Sequence, residues 1–208
     1  RRFDVIHVTT QHFASGVASV LETVKNAPRF IVQIDATAPL MARDLGMASL
    51  PAKLLERAER RVFERADVIE CWSEWALASV RDDFGLGRRA VLARPGLELS
   101  SPPSGADGAT DGAQHMGAPR LIWVGLNWAR KGGPRLLRWH QERWASRGVE
   151  LHVIGWNAGD ARGTRVFAHG PVPHDELIRD HLRPGDIFVM PTEKDTLLLA
   201  AIEASSRG

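Results

Sequence analysis

Short apolar runs alternate with helix-like segments along the whole chain, and this alternation is the strongest constraint on the fold. The strand-like runs lie at residues 5–8, 30–34, 68–69, 90–92, 121–124, 151–154, 166–168 and 187–190. Helix-like segments lie between and after them, at 17–25, 51–66, 74–84, 134–146, 175–182 and 196–206. Strands that alternate with helices predict α/β domains with parallel sheets covered on both faces.

A stretch rich in Ser, Pro, Gly and Ala separates the chain into two halves. It lacks hydrophobic periodicity, which is typical of a linker or a mobile loop. We therefore predict two Rossmann-like domains at 1–98 and 119–208, joined by a linker at 99–118. Ligands of such sheets bind beyond the carboxyl ends of the strands, so the loops after the strands are the first place to look for a site.

Two adjacent cations follow one of these strands. Gly125 closes the apolar run 121–124, and Arg130 and Lys131 stand just before Gly132-Gly133-Pro134, which predicts a helix start. Unpaired N–H groups and the helix dipole favour an anion at such a position, and a phosphate group fits it. The alternative is a solvated basic pair in an ordinary surface turn.

Two carboxylates flank the apolar run 196–202. Asp195 and Glu203 are eight positions apart, so on one helix they lie roughly 80° from each other and two turns apart. Asp195 serves either as a helix N-cap or as a ligand-binding group. Glu203 interrupts a run that looks buried nearly all round, so its carboxylate needs a partner.

These motifs resemble the group 1 (family four) glycosyltransferases of the GT-B class, which have two Rossmann-like domains and are retaining enzymes that use nucleotide-activated sugars. In that family a glycine after a strand and a later Lys-Gly bind the donor diphosphate, and Gly125 and Lys131-Gly132 match them. Asp195 and Glu203 match the family's acidic pair. Many members carry arginine where this chain has Leu126, so Arg130 is expected to supply the second cation.

The resemblance implies roles for individual residues. Asp195 would contact the hydroxyls of the donor sugar, Glu203 would contact the ribose, and Asp195, Lys131, Arg130 and Asp35 form the expected catalytic set. The expected donor-binding residues are Gly125, Asn127, Arg130, Lys131, Gly155, Gly170, Val172, Thr196, Leu197 and Glu203. Trp156 either lines the same pocket or is a packed aromatic residue.

The first half carries polar residues at the corresponding positions after its strands. We assign Thr10, Gln11 and His12 to the acceptor side. His12 is a candidate base for the acceptor hydroxyl, with an exposed loop histidine as the alternative. Asp35 stands where many relatives have histidine; it either orients the acceptor or the sugar, or caps the helix that follows Thr37.

Composition narrows the class of protein. With 44% hydrophobic and 25% charged residues in 208, the chain is globular and not disordered. The 27 Lys and Arg nearly balance the 25 Asp and Glu, so no nucleic-acid partner is expected. Arginines crowd residues 57–65, but glutamates interleave with them, which favours a salt-bridged surface helix; peripheral membrane contact stays open as an alternative.

Cysteine and histidine usage suggests neither a disulfide nor a metal. The single cysteine, Cys71, follows a predicted strand and fits a core position in a reducing, cytoplasmic compartment. The histidines lack the paired spacing of metal ligands, so no metal or other cofactor is expected. The sequence leaves the oligomeric state open.

The resulting hypothesis is a retaining glycosyltransferase that moves a sugar from a nucleoside-diphosphate sugar to an acceptor hydroxyl. Lys131 and Arg130 would neutralise the charge that grows on the departing nucleoside diphosphate. Relative to the family, both domains look incomplete at the ends of the chain. Two alternatives therefore remain: another GT-B-type enzyme, such as a sugar-nucleotide epimerase or a phosphorylase, and a truncated, non-catalytic module that binds a nucleotide or a partner.

Overall fold

The computed structural model of the chain describes residues 3–46, 52–96, 118–156 and 161–206. These form two compact units, Arg1–Gly96 and Leu97–Gly208. Of the predicted linker at 99–118, residues 99–117 lie outside the described residues. Each unit is described by itself below.

The first unit contains a four-stranded parallel sheet in the order β1-β2-β3-β4. Its strands are β1 (Val5–Val8), β2 (Arg29–Ile34), β3 (Val68–Cys71) and β4 (Ala90–Leu92). Its helices are α1 (Gln11–Leu21), α2 (Ala38–Arg43), α3 (Ala52–Arg65) and α4 (Glu74–Asp82). The core of the unit includes Phe30, Phe63 and Ile69, which are fully buried, and Cys71 is buried among them as expected.

Local capping explains where two of these helices begin. The Ser73 hydroxyl accepts a hydrogen bond of 3.1 Å from the Ala76 N–H at the start of α4. Thr37 caps α2, because its hydroxyl accepts from the Leu40 N–H at 3.4 Å and Pro39 lies in the first turn. The N-cap residue of this helix is thus Thr37 and not Asp35.

The second unit also contains a four-stranded parallel sheet, in the order β7-β6-β5-β8. Its strands are β5 (Arg120–Val124), β6 (Glu150–Ile154), β7 (Val166–Gly170) and β8 (Ile187–Phe188). Helix α5 (Gly133–Trp139) continues as a π-helical turn, His140–Trp144, and a 3₁₀ turn, Ala145–Arg147. The short α6 (His174–Glu176) continues as a π-helical turn, Leu177–His181, and α7 spans Leu199–Ser205.

Side chains of this second sheet enter two separate hydrophobic clusters. Leu121 and Trp123 belong to one cluster, and Ile122, between them on β5, belongs to the other. Because successive side chains of a strand point to opposite faces, both faces of the sheet are covered. The expectation of two parallel α/β layers is confirmed for the described residues.

The limits of several elements differ from the sequence-based expectation, most clearly those of α1, β8 and α7. Helix α1 begins at Gln11, ahead of the expected 17, and β8 ends at Phe188. Helix α7 begins at Leu199, so residues 196–198 form a loop before it. Within the described ranges, none of the helices has the length and apolar character needed to cross a bilayer.

Candidate functional site

Three glycines lie together at the carboxyl ends of β5, β6 and β7. The Gly125 N–H donates to the Ile154 carbonyl at 2.9 Å, and the Gly155 N–H donates to the Gly170 carbonyl at 2.7 Å. Gly155 has a φ of 90°, and a Cβ there would lie 2.8 Å from the Gly125 carbonyl oxygen. Only glycine allows the strand ends to approach so closely. The structure thus brings together three of the predicted donor-site residues.

Lys131 lies across the first of these glycines. A Cβ on Gly125 would be 2.7 Å from the Lys131 Cδ, so the aliphatic part of the lysine passes directly over the glycine. The indole N–H of Trp123 donates to the Lys131 carbonyl at 3.1 Å. Backbone and side chain of Lys131 are therefore both held at the end of β5.

Asn127 shapes the turn that carries both cations. Its side-chain oxygen accepts a hydrogen bond of 3.0 Å from the Arg130 N–H, and its carbonyl accepts one of 3.0 Å from the Lys131 N–H. An asparagine side chain that bonds the backbone further along is a common device for fixing a turn. The structure therefore gives Asn127 a turn-forming contact at the predicted donor site.

Two glycines allow the loop after β8 to approach the loop after β5. Gly132 has a φ of 73°, and a Cβ on it would lie 2.0 Å from the Pro191 carbonyl oxygen. A Cβ on Gly133 would lie 2.0 Å from the ring of Trp128, which is buried and packs edge-on against Trp123 at 4.9 Å. Any larger residue would force the two loops or the indoles apart.

Hydrogen bonds then join the two loops. The Thr192 hydroxyl donates to the Arg130 carbonyl at 3.2 Å, and the Arg130 guanidinium donates to the Lys194 carbonyl at 2.8 Å. Arg135 and Glu193 form a further ion pair between α5 and the same loop. This junction brings Asp195 beside the two cations.

Asp195 faces both cations with one oxygen. Its Oδ2 lies 3.5 Å from the Lys131 Nζ and 3.6 Å from an Arg130 guanidinium nitrogen. Its Oδ1 accepts a hydrogen bond of 3.0 Å from the Thr196 N–H. The Asp195 side chain is 13% exposed, whereas that of Arg130 is 36% exposed. The structure thus brings three of the four expected catalytic residues together.

Glu203 lies in α7 and has a partner that the sequence did not indicate. The His174 Nε2 lies 2.9 Å from the Glu203 Oε1, and the glutamate side chain is 20% exposed. Val172 packs in the cluster that includes Val124 and Ala204. Because α7 begins at Leu199, Asp195 is not on this helix and does not cap it, so the expected helical spacing of the two acids is wrong.

Three donor-side candidates remain: Thr196 and Leu197, which follow Asp195, and Trp156, which follows β6. Thr196 and Leu197 lie in the loop before α7, and both are partly buried. Trp156 packs against the cluster that contains Trp128, and among the described residues its buried indole N–H has no hydrogen-bond acceptor. Its packing supports the alternative of a packed aromatic residue.

In the first unit, Gln11 and Asp35 follow β1 and β2. Gln11 is buried, and its amide donates to the Ala36 carbonyl at 2.6 Å and to the Glu59 Oε1 at 3.1 Å. Asp35 is partly buried at the end of β2. Thr10 precedes α1, and His12 is exposed in the first turn of α1, which places it in a helix and not in a loop.

Glu59 is a buried carboxylate that the sequence interpretation assigned to a surface helix. It is 6% exposed, and its Oε2 accepts a hydrogen bond of 2.7 Å from the Ala38 N–H. Burial raises the pKa of Glu59 to about 7, although the hydrogen bonds from Ala38 and Gln11 oppose this shift. The expected surface helix with salt bridges is present in part, because Glu56 and Arg60 form an exposed ion pair on the same helix.

A histidine cluster is formed by His152 on β6, His169 on β7 and His181 in the turn that follows α6. The His152 Nδ1 lies 2.9 Å from the His169 Nε2, and the His169 ring packs edge-on against His181 at 4.6 Å. Partial desolvation, with smaller effects from His181 and His152, lowers the pKa of His169 to about 4, although the residue is exposed at the surface. Among the described residues, no three His, Cys, Asp or Glu side chains are arranged to hold a metal ion.

The contacts that sequence reasoning missed are long-range, with one exception. The His174–Glu203 pair and the contact between Gly132 and Pro191 join residues whose proximity depends on the fold. The exception is Glu59, which lies three and four positions before the buried Val62 and Phe63. This spacing places it on the buried face of α3, so helical periodicity could have identified it.

Comparison with solved structures gives matches over nearly the whole chain. A trehalose-6-phosphate synthase, studied for glycosyltransfer with retention, aligns with a TM-score of 0.65 at 14% identity and covers 99% of this chain and 57% of its own. S. aureus TarM, in complex with UDP, aligns with a TM-score of 0.63 at 12% identity, and the alignment covers 91% of this chain and 38% of TarM. The catalytic domain of starch synthase IV from Arabidopsis thaliana, bound to ADP and acarbose, aligns with a TM-score of 0.63 at 12% identity. This alignment covers 98% of this chain and 55% of the synthase domain.

These likenesses concern the fold. The chain shares the parallel α/β architecture of these glycosyltransferases, and it spans between 38% and 57% of their length. No protein-family model matches the sequence. No curated protein sequence matches it either.

Proposed function

We propose that this chain carries the donor site of a retaining glycosyltransferase that moves a sugar from a nucleoside-diphosphate sugar to an acceptor hydroxyl. The observation that supports this most strongly is the arrangement of Arg130, Lys131 and Asp195. Two cations and one carboxylate meet where β5 and β8 end, beside the glycines of β6 and β7. Ligands of parallel α/β sheets bind at this edge.

The two cations suit a diphosphate leaving group. In the proposed reaction the bond between the sugar C1 and the diphosphate oxygen breaks, and negative charge grows on that oxygen. Lys131 and Arg130 stabilise this charge from positions that the Trp123 and Lys194 contacts hold in advance. In this proposal they take the place of a metal ion.

The close approach of the glycines suits the same ligand. Gly125 leaves room for the Lys131 side chain to cross the end of β5, and Gly155 lets the ends of β5 and β6 approach closely, so the two glycines set the position of the lysine and of the backbone at the proposed phosphate site. Glu203 is proposed to hold the ribose, with His174 fixing one of its oxygens. Gly170 and Val172 are proposed to border the base, and Asp195, Thr196 and Leu197 to hold the sugar.

The acceptor is proposed to bind the first unit. Asp35, Thr10 and His12 lie after β2 and β1, at the carboxyl edge of the first sheet. Gln11 contributes indirectly, because its amide already bonds Ala36 and Glu59. The matched structures of TarM and starch synthase IV contain UDP and ADP, which supports a nucleoside diphosphate as the leaving group.

Product analysis tests this function. The chain is incubated with UDP-, GDP- or ADP-linked hexoses, with and without a panel of hydroxyl acceptors, and products are identified by mass spectrometry and anomeric NMR. We expect an acceptor-dependent glycoside with the donor's anomeric configuration, and at least a hundredfold slower turnover for Lys131→Ala, given the usual loss when a charge-stabilising group is removed. Near-normal turnover of this variant would refute the assignment. An epimerised nucleotide sugar without acceptor, or a sugar phosphate formed with inorganic phosphate, would favour the alternative enzymes.

A further inference from the structure

The carboxylate of Asp195 occupies the neighbourhood of the cations that, in the proposed function, bind the donor diphosphate. Its Oδ2 lies 3.5 Å from Lys131 and 3.6 Å from Arg130. The side chains of Asp195 and Lys131 are 13% and 20% exposed, so solvent screens this contact only in part. An incoming diphosphate therefore meets two positive charges and one negative charge.

The contacts of this carboxylate are longer than those of a tight structural ion pair. Charge-assisted hydrogen bonds usually measure about 2.7–2.9 Å between nitrogen and oxygen. The Asp195 Oδ2 is buried, and among the described residues it accepts no hydrogen bond. A buried carboxylate oxygen without a donor carries a desolvation cost that a new donor would relieve.

The second oxygen of the same carboxylate fixes its orientation. The Thr196 N–H donates to the Asp195 Oδ1 at 3.0 Å, which leaves the Oδ2 as the atom that can accept a bond from a ligand. A hydroxyl group can donate such a bond. A deprotonated phosphate oxygen cannot, because it is an acceptor and carries negative charge.

We infer that Asp195 determines specificity by favouring sugar-linked diphosphates over bare ones. A bare diphosphate competes with Asp195 for Lys131 and Arg130 and leaves the carboxylate beside its own charge. A nucleoside-diphosphate sugar brings hydroxyls as well as phosphates. One hydroxyl donates a hydrogen bond to the Asp195 Oδ2, and this bond replaces the contacts with Lys131 and Arg130 that the carboxylate loses to the diphosphate. This inference rests on the proposed function of the site.

The same exchange acts on the product. Transfer breaks the bond between the sugar C1 and the diphosphate oxygen, forms a bond between C1 and the acceptor oxygen, and releases the proton of the acceptor hydroxyl to solvent. The terminal phosphate of the remaining nucleoside diphosphate then gains negative charge, since its second pKa is near 6. Asp195 consequently weakens retention of the product, which has no hydroxyl to offer it at that position.

Titration calorimetry with inorganic pyrophosphate tests the inference. Asp195→Asn removes the charge and retains an oxygen that can accept from Thr196. We expect it to bind pyrophosphate about tenfold more tightly than the wild-type chain at low salt, and the gain to shrink at high salt. Glu193→Gln is the matched control. It also removes one negative charge, two residues before Asp195 in the chain, but the Glu193 side chain is 65% exposed.

The variants separate failure of this inference from failure of the proposed function. If Lys131→Met weakens pyrophosphate binding but Asp195→Asn does not strengthen it, the diphosphate site stands and the inference is wrong. An equal gain in Glu193→Gln would also overturn it, since the effect would then reflect net charge alone. Absence of pyrophosphate binding in every variant, Asp195→Asn included, would overturn both.

Discussion

The buried carboxylate of Glu59 accepts a hydrogen bond of 2.7 Å from the backbone N–H of Ala38, the first residue of α2. Gln11 donates to the other oxygen of the same carboxylate and to the Ala36 carbonyl. Glu59 and Gln11 therefore fix the segment that follows Asp35. An acid on one helix thus determines the backbone at the edge where we propose that the acceptor binds.

Glu59 is expected to make the stability of the chain depend on pH. Burial raises its pKa from 4.5 to about 7, so the folded state holds the proton more tightly than the unfolded state. The free energy of unfolding should therefore fall as pH rises from about 4.5 to 7, by on the order of 3 kcal/mol. Glu59→Gln should remove this dependence, as measured by urea unfolding at several pH values.

Glu56→Gln is the matched control for this experiment. Glu56 lies on the same helix and its side chain is 41% exposed. We expect this variant to keep most of the pH dependence of the wild-type chain, because the charge of Glu56 raises the pKa of Glu59 less than burial does. The same pH dependence in Glu59→Gln and in Glu56→Gln would contradict the account of Glu59.

The contact between Gly133 and Trp128 is expected to be sensitive to one methyl group. A Cβ on Gly133 would lie 2.0 Å from the Trp128 ring, so Gly133→Ala must displace an indole that packs against Trp123. Overpacking of this kind typically costs about 1–3 kcal/mol. Urea unfolding followed by tryptophan fluorescence measures the loss.

Gly16→Ala is the control, because it adds the same methyl group within α1 where nothing lies within 4 Å. Alanine is favoured over glycine inside a helix, so this variant should be as stable as the wild type or more stable by up to about 1 kcal/mol. Equal stability of the two variants would show that the indole moves without cost.

His169 is expected to reduce the thermal stability of the chain in acid. Partial desolvation and the neighbouring His181 and His152 lower its pKa to about 4, although the residue is exposed, so the unfolded state takes up the proton first as pH falls below about 6.5. The contribution of neutral His169 to the free energy of unfolding is therefore complete above about pH 6.5 and is lost as the pH falls toward 4. His169→Gln keeps an amide that can bond His152, and its melting temperature should fall less than that of the wild type between pH 7 and 5.

His12, an exposed histidine on α1, is the position of the control variant. His12→Gln should leave the acid dependence of the melting temperature unchanged. If His169→Gln melts with the same acid dependence as His12→Gln, the neutral state of His169 does not contribute to stability.

The fold could be predicted from the sequence because most of its strands coincide with short apolar runs. The runs at 30–34, 68–69 and 151–154 all lie in strands of the structure. The start of α7 could not be predicted in the same way. An apolar run such as 196–198 indicates burial but does not distinguish a helix from a packed loop.

The candidate site could be predicted only in part. Local sequence placed Gly125, Lys131 and Asp195 near strand ends, because the carboxyl ends of parallel strands share one edge. Pairs such as His174–Glu203 and Gly132–Pro191 depend on where separate segments meet. No local pattern contains that information.

Calorimetric binding of UDP, GDP and ADP to this chain tests the central claim most directly. We expect one of them to bind the wild-type chain, and Lys131→Met, which keeps the aliphatic chain over Gly125 but removes the charge, to bind it at least tenfold more weakly. Lys53→Met, on the exposed face of α3, should bind like the wild type. Equal affinity of wild type and Lys131→Met, or no binding of any of the three nucleotides, would contradict the account.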